Sequence, residues 1–142
     1  MQAFNPYLHF MGNTEEAMRF YKTVFGGEFI LFHRFKDVPG GEKMAAEDQE
    51  KIIHISLAIN KDITIMATDA LASMGQQLTA GNNFHIHMQA DSEAEADKIF
   101  NALSTGGKID MPMNKTFFGA YFGMCQDRFG IYWMINFTEK IQ

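Results

Sequence analysis

The spacing of apolar residues predicts one order of elements in the first half of the chain. A short strand at 7–11 precedes a helix at 14–25, in which apolar residues recur at helical spacing. Asn13 is a suitable N-cap for this helix, with Glu16 placed to complete a capping box. The first half is therefore predicted to be a βαβββ unit. Its other strands are predicted at 28–35, 52–59 and 63–68.

The second half repeats this order. Its helix starts after a capping box formed by Ser92 and Glu95, and a pair of glycines ends the helix of each half, at 26–27 and at 106–107. The turn at 127–130 gives the clearest turn signal, because its Asp can hydrogen-bond its own backbone and its Gly can adopt a positive φ. Strands are predicted at 84–90, 108–113, 117–125 and 131–137.

These elements predict an α+β fold of two βαβββ units with curved mixed sheets. We predict a single domain over residues 1–142, in which a connector at 71–82 joins the first unit, 1–70, to the second, 83–142. Residues 36–51 are polar and are predicted to form a loop. Because one βαβββ unit leaves a sheet face uncovered, we expect the two sheets to form one continuous surface or to pair between chains in a homodimer.

Charge and cysteine content restrict the partners and the compartment. A net charge of −5, a pI near 5.4 and the lack of a basic cluster argue against a nucleic-acid partner. The single cysteine, Cys125, excludes an internal disulfide bond. The first residues lack the pattern of a signal peptide, and no run of about 18 apolar residues could cross a membrane. These features favour a cytoplasmic protein without a membrane partner.

Several predicted strands carry side chains that could bind a small molecule. His85 and His87 alternate along one strand and share a face, where they could bind a ligand, act as a general base or hydrogen-bond across the sheet. His54, in the first unit, could join them. Core or dimer packing is the alternative role for the apolar candidates. The other residues that could line an aromatic and methionine-rich pocket are Met66, Phe118, Tyr121, Trp133 and Met134.

Motifs for common cofactors and nucleophiles are missing from the sequence. There is no Gly-x-Gly-x-x-Gly loop for a dinucleotide and no Gly-x-x-x-x-Gly-Lys loop for a nucleotide phosphate. A Gly-x-Ser-x-Gly motif, which would indicate a hydrolase, is also missing. Cys125 has no basic neighbour before Arg128 and is predicted to be an inert buried thiol. We therefore expect no cofactor.

Segments that span nearly the whole chain resemble a known superfamily. They are residues 6–27, 52–59, 63–70 and 96–136. Their sequence is similar to the vicinal-oxygen-chelate superfamily, which includes glyoxalase I, extradiol dioxygenases and bleomycin-resistance proteins. The closer resemblance is to its PhnB-like branch, the 3-demethylubiquinone methyltransferase-like domain. This resemblance implies the glyoxalase/bleomycin-resistance fold.

The resemblance also implies where a metal ion would be bound. Metal-using members place four ligands on the inner sheet face, and the matching positions here are Pro6, Met66, His85 and Met134. Only His85 suits Zn²⁺, Mn²⁺ or Fe²⁺, because proline and thioether groups cannot replace carboxylate and imidazole ligands. The metal chemistry of the superfamily is therefore expected to be absent.

Three hypotheses for function follow from these observations. The leading one is a metal-independent small-molecule-binding protein with an aromatic and methionine-lined cavity. A metal-dependent lyase, isomerase or dioxygenase is the alternative, and it requires His54, His85 and His87 to converge on one ion. The third hypothesis is an assembly module.

Overall fold

The computed structural model describes residues 1–139 and contains two compact units, Met1–Thr79 and the chain from Ala80 onward. The boundary between them lies within the predicted connector at 71–82. The end of the predicted second unit, residues 140–142, lies outside the described residues, and the single domain stays a prediction. Among the described residues, no helix is both long and apolar enough to cross a bilayer.

The first unit has the predicted βαβββ order. Its elements are β1 (Tyr7–Phe10), α1 (Thr14–Phe25), β2 (Glu28–Arg34), α2 (Ala46–Gln49), β3 (Ile52–Ala58) and β4 (Thr64–Asp69). The strand order is β1-β4-β3-β2, with β1 parallel to β4 and the other pairs antiparallel. The predicted loop at 36–51 contains the short helix α2 and 3₁₀ turns at Phe35–Asp37 and Gly41–Lys43, which are too short to produce a hydrophobic period.

The second unit repeats this topology. Its elements are β5 (Ile86–Gln89), α3 (Glu93–Ser104), β6 (Lys108–Lys115), β7 (Ala120–Gln126) and β8 (Tyr132–Thr138). The strand order is β5-β8-β7-β6, and β5 is parallel to β8. Each unit therefore forms a four-stranded mixed sheet whose first strand pairs with its last. The prediction of a mixed α+β fold with two βαβββ units is confirmed.

The start of α1 is held by a residue from β4 rather than by the predicted cap. Asn13 makes no side-chain cap hydrogen bond. Instead, Asp69 Oδ1 accepts from the backbone N–H groups of Gly12 (2.9 Å) and Thr14 (3.1 Å) and from Thr14 Oγ1 (2.6 Å), and its Oδ2 accepts from Ile52 N (2.8 Å). This buried carboxylate therefore joins the ends of three elements.

The start of α3 is capped as predicted. Ser92 Oγ accepts a hydrogen bond from Glu95 N at 3.0 Å. The Glu95 side chain reaches back to accept from the backbone N–H of Asp91, also at 3.0 Å. One face of α3 is buried, as expected for a helix that covers a sheet, and this face consists of Ala96, Ile99, Phe100 and Leu103.

The second glycine of each Gly-Gly pair is required by close backbone contact. A Cβ atom on Gly27 would lie 2.2 Å from the carbonyl oxygen of Ala58, at the end of β3. A Cβ atom on Gly107 would lie 2.1 Å from the carbonyl oxygen of Gln126, at the end of β7. The chain after each helix thus enters the sheet so closely that no side chain fits.

The turn between β7 and β8 has the predicted structure. Asp127 Oδ1 accepts from the backbone N–H groups of Phe129 (2.8 Å) and Ile131 (3.1 Å), and Gly130 adopts a φ of 91°. Asp127 Oδ2 accepts from Trp133 Nε1 at 2.8 Å. The buried Asp127 therefore fixes both the turn and the indole of the following strand.

Candidate functional site

The two faces of the second sheet have different environments. Tyr121 on β7 donates a hydrogen bond to Asp97 on α3, so the side shared by Tyr121 and Cys125 faces this helix. Trp133 on β8 lies on the same side, because it is the cross-strand partner of Cys125. The alternate residues point away from α3. We call their side the second open face, because it is the face of the second sheet that α3 does not cover. Its residues are His87, Gln89, Phe122, Met124, Tyr132, Met134 and Asn136.

Trp133 and Met134, which were predicted to line one pocket, lie on opposite faces. They are consecutive residues of an extended strand, so their side chains alternate. Trp133 is only 2% exposed and donates to Asp127. The structure therefore places Trp133 in the core against the helix side and leaves Met134 on the second open face.

Two methionines and a histidine form a row across the second open face. Met134 is the cross-strand partner of Met124 on β7 and of His87 on β5. His85 directly precedes β5, and its ring packs against Tyr132 with centroids 5.4 Å apart. The structure thus brings His85, His87 and Met134 together on one side of the sheet.

His85 has an unsatisfied polar atom. Its Nε2 is buried and has no hydrogen-bond partner among the described residues. Leaving a buried polar group unpaired costs about 1–3 kcal/mol, and most such groups in folded proteins are paired. Because this nitrogen is closed to solvent, a bound molecule can pair with it only if the imidazole ring turns toward the second open face.

His54 and Met66 belong to the first sheet. Met66 is the cross-strand partner of both Tyr7 and Ser56, so these residues share the face opposite the one that carries Asp69 and α1. His54 Nδ1 lies 3.1 Å from Tyr7 Oη, and His54 Nε2 lies 2.7 Å from Ser56 Oγ. Burial, together with the charge of His33, lowers the pKa of His54, which favours a neutral ring.

The residues present do not fit the metal site of the superfamily. Among residues 1–139, no group of three His, Cys, Asp or Glu side chains could hold a metal ion. At the implied ligand positions, Pro6 offers only a carbonyl oxygen, which already accepts from Met66 N at 3.0 Å. Met66 and Met134 offer thioethers, which are poor ligands for Zn²⁺, Mn²⁺ or Fe²⁺.

Tyr121 and Phe118 lie near the tip of the hairpin β6–β7, beside a small pocket. Tyr121 lines a pocket of about 180 Å³ on the helix side of the sheet, which we call the hairpin pocket. Phe118 is 66% exposed and does not line it. The structure therefore separates both residues from His85 and His87. The hairpin pocket is lined by Glu93, Lys115, Thr116, Gly119, Ala120, Tyr121, Phe137 and Glu139.

The Tyr121→Phe variant should lack a tyrosine titration near pH 12. The hydrogen bond to Asp97, followed by burial, raises the pKa of Tyr121 from 10.0 to about 12. Since the native state holds this proton more tightly than the unfolded chain, the stability it contributes is complete below pH 10 and is lost as the pH rises through about 12. Ultraviolet absorbance of tyrosinate measures this titration. If the pKa of Tyr121 is unchanged in Asp97→Asn, the hydrogen bond to Asp97 is not what raises it.

Cys125 has the properties predicted for an inert thiol. It is fully buried in the sheet. Burial, with smaller contributions from the charges of Asp127 and Asp110, raises the pKa of Cys125 to about 12. At neutral pH the thiol is therefore protonated, and it does not act as a nucleophile.

Five residues of the second open face were not among the predicted site residues: Gln89, Phe122, Met124, Tyr132 and Asn136. A signal for Met124 exists in the sequence. Counting outward from the turn at 127–130 pairs Met124 with Met134, as the structure does. The contact of Tyr132 with the ring of His85 joins residues that are far apart in the sequence, so no local pattern predicts it.

The repeated βαβββ topology and the open sheet faces define a glyoxalase/bleomycin-resistance fold, and solved proteins of that class share it. The family model described as 3-demethylubiquinone-9 3-methyltransferase matches residues 2–136. The chain therefore belongs to this PhnB-like family.

Individual relatives agree with this assignment. The crystal structure of PA1353 from Pseudomonas aeruginosa is 35% identical, with a TM-score of 0.85 over 99% of this chain and 100% of that chain. A putative 3-demethylubiquinone-9 3-methyltransferase, the PhnB protein from Bacillus cereus, is 25% identical, with a TM-score of 0.78 over 96% and 100%. Protein YjdN from Escherichia coli K12 is 30% identical over 96% of this chain and 95% of YjdN.

Proposed function

We propose that this PhnB-like protein binds a small organic molecule, without a metal ion, on the second open face. The observation that carries this proposal is the buried His85 Nε2, which has no partner among the described residues. The proposal is also supported by the donor set at the superfamily's metal positions, which does not suit a divalent cation.

The composition of the second open face favours a flat aromatic ligand with a hydrogen-bonding atom. Met124 and Met134 offer adjacent thioethers, which make favourable contacts with aromatic rings. Phe122 and Tyr132 extend this apolar surface. His85 and His87 supply the polar contacts that orient a ligand. None of the seven residues that define this face carries a carboxylate, which favours a neutral or anionic phenol over a cation.

A thermal-shift screen of metal-stripped protein tests this proposal. The probes are simple phenols, such as catechol, 4-hydroxybenzoate and 2-naphthol, in buffer that contains a chelator. A ligand at 100 times its Kd adds about 2.7 kcal/mol to the free energy of unfolding, which raises Tm. We expect His85→Ala to weaken binding of a phenol by about 10-fold, because it removes the hydrogen-bonding ring nitrogen.

Two controls separate this site from other effects. His33→Ala changes an exposed histidine of the first unit and should leave phenol binding unchanged. A parallel screen with added Zn²⁺, Mn²⁺ or Fe²⁺ tests the metal-dependent alternative. Binding that requires the ion, or an equal loss in both histidine variants, would contradict the proposal.

A further inference from the structure

The tip of the hairpin β6–β7 presents two aromatic rings to the exterior. Phe117 is fully exposed and Phe118 is largely exposed, and the two rings lie 5.3 Å apart in an edge-to-face arrangement. Aromatic side chains are among the strongest contributors to interfaces, and contiguous exposed apolar groups commonly mark interaction sites. This pair therefore indicates a contact surface.

The backbone of the tip is held in a defined shape. Thr116 N donates to the carbonyl oxygen of Ala120 at 2.7 Å, and Ala120 N donates to Thr116 Oγ1 at 3.1 Å. Gly119 adopts a φ of 85°, which residues with a side chain rarely adopt. A closed loop of this kind keeps the two rings in position before any partner binds, which lowers the entropy lost on association.

The hairpin pocket adjoins this tip and can hold one aromatic ring. Thr116 and Gly119, which flank the two phenylalanines, line the pocket, while Phe117 and Phe118 do not. Tyr121 and Phe137 provide aromatic surface inside it. A cavity of about 150 Å³ accommodates benzene, so a pocket of about 180 Å³ has room for a phenyl ring.

The rim of the hairpin pocket carries charges of both signs. Lys115 Nζ lies 3.6 Å from Glu93 Oε1, both side chains are exposed, and Glu139 lies on the same rim. A surface with both signs can complement itself when two copies are related by a two-fold axis. In that arrangement, Lys115 of one copy can face the acidic side chains of the other.

We infer that the hairpin pocket receives the ring of Phe117 from a second copy of this chain. Because the tip and the pocket adjoin, a single two-fold axis lets each copy insert its own ring and receive that of the other. This isologous contact buries both exposed tips and joins the charged rims. It specifies a surface for the homodimer that the sequence predicts, and it does not depend on the proposed ligand site.

Sedimentation equilibrium of the full chain tests this surface. Wild-type protein should be dimeric within the range of about 1 to 100 μM. Phe117→Asp should raise the dimer dissociation constant by at least about 30-fold, the effect of losing one interface hot spot. Phe84→Asp is the matched control, because Phe84 is also exposed in the second unit but lies away from the hairpin tip, and it should leave the dimer unchanged. Raising the salt concentration should weaken the wild-type dimer.

Photo-crosslinking identifies the pocket directly. With p-benzoylphenylalanine at position 117, illumination should yield covalent dimers whose crosslinks map to residues 115–121 or 137–139 of the second copy. A monomeric wild-type protein, a dimer that survives Phe117→Asp, or crosslinks that map elsewhere would each overturn the inference. Since Phe117 is exposed, circular dichroism should show an unchanged fold for the Asp variant.

Discussion

Replacing Asp69 with alanine is expected to lower the free energy of unfolding by about 3–5 kcal/mol. The buried carboxylate accepts four hydrogen bonds, from the N–H groups of Gly12, Thr14 and Ile52 and from the Thr14 hydroxyl. Alanine leaves these donors without their acceptor, and it also removes the negative charge from the start of α1. Urea denaturation followed by far-ultraviolet circular dichroism measures the loss.

Two variants make the measurement at Asp69 specific. Asp69→Asn keeps one oxygen for the start of α1 but places an amide NH₂ against Ile52 N. This variant should therefore lower the free energy of unfolding by about half as much as the alanine variant does. Asp62→Ala removes an exposed carboxylate of the same unit and should change stability by less than about 0.5 kcal/mol. Equal stabilities for Asp69→Ala and Asp62→Ala would show that the hydrogen bonds at α1 contribute nothing measurable.

Gly107→Ala is expected to destabilise the second unit by about 3 kcal/mol or more. Its Cβ atom would lie 2.1 Å from the carbonyl oxygen of Gln126, so the chain before β6 must move away from β7. Trp133 is the only tryptophan of the chain and belongs to the second unit, so its fluorescence during denaturation reports this change.

The neighbouring glycine provides a matched control. Gly106 has a φ of 77°, and a Cβ atom there would meet only side-chain carbons of Arg128, the nearest at 3.4 Å. Gly106→Ala should therefore cost only the strain of a left-handed residue, about 1–2 kcal/mol. If Gly106→Ala lowers the free energy of unfolding more than Gly107→Ala does, then backbone conformation, and not close contact with β7, explains the Gly-Gly pair.

Elements whose signals lie within a few residues could be predicted from the sequence. The turn after β7 follows from Asp127, which hydrogen-bonds to Phe129 N two residues further on. The start of α3 follows from Ser92 and Glu95 in the same way. Because these partners are close in sequence, the residue pattern alone contains the information.

Features that depend on distant residues could not be predicted in this way. Asp69 and Thr14 are 55 positions apart, so no local pattern shows that Asp69 rather than Asn13 holds the start of α1. At Trp133 and Met134, consecutive apolar residues remove the polarity contrast that would identify the buried face. The unpaired nitrogen of His85 depends on its packing, which the sequence does not encode locally.

The pairing of the first strand with the last determines the order in which the first unit can form. The hairpin β3–β4 needs only a short loop to close, whereas pairing Tyr7 with Met66 joins residues 59 positions apart (66 minus 7). Chain entropy opposes such a distant contact until the intervening strands are in place. We therefore expect β1 to join the sheet last during refolding, so that its backbone amides become protected from solvent exchange after those of β3.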